Sequence, residues 1–203
     1  MDGAADRTSP TGPESSSPII VERFAYDYPP DVAPWRRRLG DAITPRLETG
    51  FGVVLAHWSL VAALASALLL LGAYLSPLLK HLGYESAGQA LFTAYRYICA
   101  QTPSHSYYPW GYQAAFDQRM TAIYGSFIVA AVAFQWRRDR LRPLSWRLYL
   151  LLLLPMALDG FTQMFGWRES NWELRTLTGT LFAVATVLAF FPRVDRFLSD
   201  FPG

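Results

Sequence analysis

The chain has 203 residues, a formal net charge of +2 and one cysteine, Cys99. One domain of ordinary size fits this length, no intrachain disulfide is possible, and the near-neutral balance gives no ground for a nucleic-acid partner. Hydrophobic residues make up 52% of the chain, and they come in long blocks, the pattern that a ~30 Å hydrocarbon layer demands of a crossing helix.

Residues 1–34 are rich in Pro, Ser and Asp. They hold too little apolar surface to offset the entropy of ordering, which predicts a disordered cytoplasmic tail. This start has neither the basic residues nor the apolar core of a leader peptide. Residues 35–50 form a juxtamembrane segment. Trp35-Arg36-Arg37-Arg38, followed by Leu39, Ile43 and Leu47, fits an amphipathic helix on the membrane surface or a basic stop before a span. A transmembrane domain is expected over 51–192, with spans at about 51–75, 119–136, 148–165 and 171–191.

His57 is the only ionisable residue of the first span, which Ser76-Pro77 is expected to end. Residues 87–100 read as a short interfacial or re-entrant helix with Arg96 as its only charge. A loop rich in Tyr, Trp and Pro follows, of the kind found at the membrane–water interface. Arg137, Arg138, Arg140, Arg142 and Arg147 crowd the connection between spans two and three. Ser170 and Glu173 have the spacing of a capping box for the fourth span. Pro192 is expected to stop that span, leaving 193–203 as a cytoplasmic tail. The fold class is therefore an all-α, polytopic transmembrane bundle of four spans with one short interfacial helix. The Arg distribution predicts a multi-pass protein of the cell membrane with both termini and the 137–147 loop in the cytoplasm.

Chemistry is expected where polar residues interrupt apolar helices. A carboxylate such as Asp159, well inside a span, is costly unless paired or facing water. Gln163 lies one turn on, and Arg168, Ser170, Asn171 and Arg175 open the next span. Asp117 and Arg119 open span two, and His105 lies in the connecting loop. These residues should converge at the outer side. Three functions follow from them. A pocket of this composition would bind an anionic lipid head group or a small anion. If Asp159 simply pairs with Arg175 or Arg168, the cluster is packing, as in a non-catalytic accessory subunit of a membrane complex. With Asp159 or His105 as general base it would be an intramembrane enzyme acting on a lipid-linked substrate. No catalytic residue, cofactor or metal is assigned; the expected partners are the lipid bilayer, an anionic lipid or other membrane subunits.

Two stretches carry a resemblance. One is Cys99-Ala100-Gln101-Thr102-Pro103-Ser104-His105-Ser106, continued by Gly111-Tyr112-Gln113 and by Asp117-Gln118-Arg119-Met120. The other runs Asp159-Gly160-Phe161-Thr162-Gln163, Gly166-Trp167-Arg168-Glu169-Ser170-Asn171, Arg175 and Thr178-Gly179. Together they resemble a bacterial and archaeal membrane family known only as domain of unknown function 2085. The resemblance implies a membrane location and a set of positions, and no activity. Members have Cys-His-Gln at the position of Cys99-Ala100-Gln101 and Cys-x-Arg-Cys at that of Asp117-Gln118-Arg119-Met120. Only one of those four metal-type or redox-type side chains, Cys99, remains here. The Asp159, Gln163, Arg168, Ser170, Asn171 and Arg175 set is intact.

Overall fold

The computed structural model describes residues 32–199; the expected N-terminal tail lies almost wholly outside them. The described residues are helical, without a named strand. They fall in two compact units, one ending at Arg46 and one running from Leu47. The helices are α1 (Pro34–Ala56), α2 (Trp58–His81), α3 (Glu85–Ala94), α4 (Gln118–Arg137), α5 (Trp146–Met164) and α6 (Trp172–Ser199). By length and composition, α2 and α6 can cross a membrane.

The apolar run from Phe51 does not form one helix. It is divided at His57, where the backbone leaves helical geometry (φ −118°, ψ 24°). The imidazole Nδ1 lies 3.2 Å from the Val53 carbonyl oxygen, one turn back.

Two prolines expected to end helices sit inside them. Pro77 lies in α2 and Pro192 in α6. A proline has no N–H for the carbonyl four residues earlier and normally breaks the helix there. Here each freed carbonyl has another donor. Ala115 N–H donates to the Ala73 oxygen at 3.1 Å, and Leu144 N–H donates to the Leu188 oxygen at 3.0 Å. Each proline therefore fastens a neighbouring loop to its helix.

In the larger unit, α4 packs against α2 and α6, α3 folds back on α2, and α5 packs on α6. The sequence makes this possible by placing small residues inward. Ser59, Ala63, Ser66, Ala73, Ser76 and Pro77 are the buried residues of α2, while Leu71 is 62% exposed. Ala183, Ala185 and Ala189 are buried on α6, and Leu150 on α5 is 61% exposed. A water-soluble bundle would bury the leucines. Small residues inside and large apolar ones outside is the arrangement of helices packed in lipid.

Helices α4 and α6 approach each other closely at Gly179. A Cβ there would come within 2.8 Å of the Arg119 carbonyl oxygen, so glycine sets the α4–α6 spacing where the polar residues gather. Two aromatic clusters fill the rest. Phe134 and Phe191 meet edge to face with ring centres 5.4 Å apart, and Trp58 lies 4.4 Å from Phe191. Phe116 stacks on Tyr124 at 4.9 Å.

Candidate functional site

The polar cluster lies where the N-terminal ends of α4 and α6 meet the C-terminal end of α5. Asp159 is its centre and is 3% exposed. One of its oxygens accepts from Arg168 Nη2 at 2.6 Å; the other accepts from Arg119 Nη2 and from Gln163 Nε2, the latter at 3.1 Å. Gln163 also donates to the Asp159 backbone oxygen at 2.9 Å, the i, i+4 geometry expected on one helix face. Three of the roughly four acceptor positions of the carboxylate are thus occupied. Two guanidiniums and an amide leave it poorly placed to take a proton from a substrate.

Arg175 is not a partner of Asp159, although the sequence spacing made it a natural one. It is buried, at 4% exposure. Its Nη1 donates to Gln118 Oε1 at 3.1 Å, and its Nε is buried without a hydrogen-bond partner. Arg119 Nε is unpartnered in the same way. Arg119, Asp159, Asp117 and Glu169 all lie within electrostatic range of Arg175. Among the described residues, however, the direct ion pairs of this cluster join one carboxylate, Asp159, to two of its three guanidiniums, Arg119 and Arg168.

The other expected residues surround this core in supporting positions. Asp117 caps α4, accepting from Met120 N–H at 2.7 Å, and pairs with Ser106 in an isolated antiparallel bridge. Its own N–H points at Cys99 Sγ, 3.4 Å away. Burial pushes the Cys99 thiol above its ordinary pKa. His105 lies within range of Arg175, Asp117, Glu169 and Arg119. Burial, and then the Arg175 charge, hold its pKa below the usual imidazole value against the opposing pull of the two carboxylates.

The start of α6 is capped by Asn171 rather than Ser170: Asn171 Oδ1 accepts from Leu174 N–H at 3.0 Å. That side chain is committed to the helix, and the buried Ser170 hydroxyl is spent on the Asn171 carbonyl at 3.4 Å.

The sequence reading passed over Gln118, Gln101 and Gln113. Gln118 is the hydrogen-bond partner of Arg175. Gln101, at φ 54°, donates to the Phe92 carbonyl at 2.7 Å and so holds the end of α3. Gln113 donates to the Gln101 carbonyl at 2.8 Å and to Ser106 Oγ at 3.0 Å. All three lie in the stretches quoted for the family resemblance, which was the available signal. Neutral amides gave no electrostatic reason to single them out.

Two concavities adjoin the cluster. One, of about 380 Å³, is walled by Leu153, Met156, Ala157, Phe161 and Phe182, with Arg119 at its edge. The other, of about 390 Å³, is lined by Arg168, Glu169, Asn171 and Glu173 together with Leu174 and Leu177.

At the opposite ends of the helices a second polar layer forms. Arg138 pairs with Asp195 and donates to the Ala56 carbonyl at 2.8 Å. Arg193 donates to the Leu144 carbonyl at 2.8 Å and lies 4.3 Å above the Trp146 ring.

Comparison with known proteins places this site within a family. A family model described as "predicted membrane protein (DUF2085)" matches residues 99–189, the stretch that holds every residue of the cluster. An uncharacterised protein of Methanocaldococcus jannaschii is 30% identical over 141 residues, 66% of this chain and 90% of that protein. An uncharacterised protein of Methanothermobacter thermautotrophicus is 38% identical over 91 residues, 42% of this chain and 77% of that protein. No solved structure matches the chain. The chain thus belongs to the family of predicted membrane proteins called domain of unknown function 2085.

Proposed function

We propose that this is a four-span membrane protein, with both termini cytoplasmic, that binds an anionic group at the outer ends of α4, α5 and α6. The two polar layers support the four spans. Arg119 and Arg138 stand at opposite ends of α4, about 28 Å apart at a rise of ~1.5 Å per residue, close to the ~30 Å of a hydrocarbon layer. Leucines exposed along α5 suit lipid contact. The layer bearing Arg138, Arg193 and the 137–147 loop is the more Arg-rich, which supports a cytoplasmic side for it.

Arg175 is the observation that carries the binding function. A buried guanidinium with an unpartnered Nε, hydrogen-bonded to a neutral amide, is costly, because burial removes hydration and the carboxylates in range do not pair with it directly. Packing accounts for Asp159, whose charge is matched. It does not account for Arg175, which no carboxylate of the layer pairs with directly. A phosphate or carboxylate brought by a ligand would supply the missing acceptor with the charge-assisted, forked geometry that guanidinium favours.

The test is binding of phosphatidylglycerol and of sn-glycerol 3-phosphate to the full-length protein in neutral detergent, with phosphatidylcholine as the neutral control. Arg175→Gln should weaken binding of an anionic probe by at least about 10-fold, the loss of one charge-assisted contact. Equal affinity of wild type and Arg175→Gln for every anionic probe would refute the site.

A further inference from the structure

We infer that the ligand is an anionic phospholipid whose hydrocarbon chain lies along α5 in the apolar cavity that Arg119 closes; this rests on the anion site proposed above. The cavity joins apolar walls to a cation. Leu153, Met156, Ala157 and Phe161 of α5 and Phe182 of α6 form the walls, and Arg119 is the one charged residue on them. Arg119 reaches Asp159 through Nη2, and its Nε makes no hydrogen bond.

The space exists because α5 packs on α6 while Arg119 spans from α4 to Asp159 on α5. Gly160 also lines the cavity beside the guanidinium, where a Cβ would stand 3.8 Å from Arg119 Nη1, in ordinary contact. A volume of about 380 Å³ lies in the range of small-molecule sites, which pair apolar walls with a few placed polar groups.

A second apolar hollow of about 580 Å³ shares Leu153 and Ala157 with the first and continues along α5 past Leu150 and Leu154 to Arg147. The two make one apolar track with the Arg cluster at its outer end. A free anion would use only that end, and an uncharged lipid only the track. An anionic phospholipid uses both, placing its phosphate at the end that Arg119 lines and its chain against α5.

The test compares phosphatidylglycerol, phosphatidylcholine and sn-glycerol 3-phosphate on the delipidated full-length protein in neutral detergent. The variants are wild type, Arg175→Gln and the track-filling Ala157→Phe, with Leu153→Trp as a second filling variant in case the first does not fold. Phosphatidylglycerol should bind at least about 100-fold more tightly than glycerol phosphate, a modest return for a buried chain. Filling the track should lower phosphatidylglycerol affinity at least about 10-fold and leave glycerol phosphate unchanged, whereas Arg175→Gln should weaken both.

If glycerol phosphate matches phosphatidylglycerol and the filling variants bind normally, the chain inference falls and the anion site stands. If phosphatidylcholine binds as well as phosphatidylglycerol and Arg175→Gln changes nothing, both fall. If filling the track leaves lipid binding intact but breaks a dimer of the wild type, the track is covered by a second copy and the lipid inference is overturned.

Discussion

At the scale of single residues, the cluster separates into a matched pair system and a surplus. Asp159 gathers Arg119, Arg168 and Gln163, so its removal strands cations in a low-dielectric layer. Asp159→Asn should therefore cost about 3 kcal/mol, the scale for breaking a buried ion pair, read as a lower unfolding midpoint in detergent. Arg175→Gln removes a charge with no direct counter-charge and should leave that midpoint equal or raised. A loss as large as that of Asp159→Asn would mean that Arg175 is packing after all.

His105 adds a pH signature. Its folded pKa is held below the ordinary ~6.5, so the unfolded chain takes up the proton first. The stability tied to the neutral ring is complete above ~6.5 and declines as pH falls towards the lower folded value. The midpoint should drop between about pH 7.5 and about pH 5.5, and by less in His105→Gln.

The sequence named the members of this cluster because charges stand out in apolar helices. It left Arg168 and Arg175 as alternative partners of Asp159, and the fold pairs Arg168, because spacing along one chain says nothing about which helix lies opposite. Gln118, on α4, is the partner of Arg175 instead.

At the scale of helices, propensity rules identified the elements and misplaced several ends. Pro77 and Pro192 read as stops because the rule concerns a helix alone. Ala115 and Leu144, remote in sequence, supply the donors that let each helix continue. The break at His57 left no mark in hydropathy, since apolar residues flank it on both sides. Asn171 displaced Ser170 as the cap because either side chain suits that position and the turn geometry chose between them.

Gly179 acts at the same scale, as the point where α6 packs tightly on α4. Its hydrogen faces the Arg119 carbonyl, and the backbone of α4 cannot swing aside as a side chain would. Gly179→Ala should cost about 1–3 kcal/mol, the range for forcing an extra methyl into a packed interface. It should also loosen the Arg119–Asp159 contact. Unfolding in graded denaturing detergent measures the cost, and an unchanged transition would show that the helices have room to part.

At the scale of the whole molecule, the apolar blocks announced a membrane protein, and family membership and the outward leucines agree with that. The sequence also put the polar residues at a common level. Only the fold shows a paired carboxylate beside a guanidinium with an unpartnered Nε, because satisfaction depends on helices that meet from distant parts of the chain. The function proposed here requires that level to face outward. Labelling of single cysteines on intact cells tests this directly, with Cys99→Ala as background and a membrane-impermeant maleimide as reagent. Glu169→Cys, in the exposed turn beside Arg168, should label on intact cells, and Asp139→Cys, in the Arg-rich loop, only after permeabilisation. Labelling of Asp139→Cys from outside, with Glu169→Cys protected until the cells are opened, would put the Arg119–Asp159–Arg175 layer on the cytoplasmic side and contradict the account.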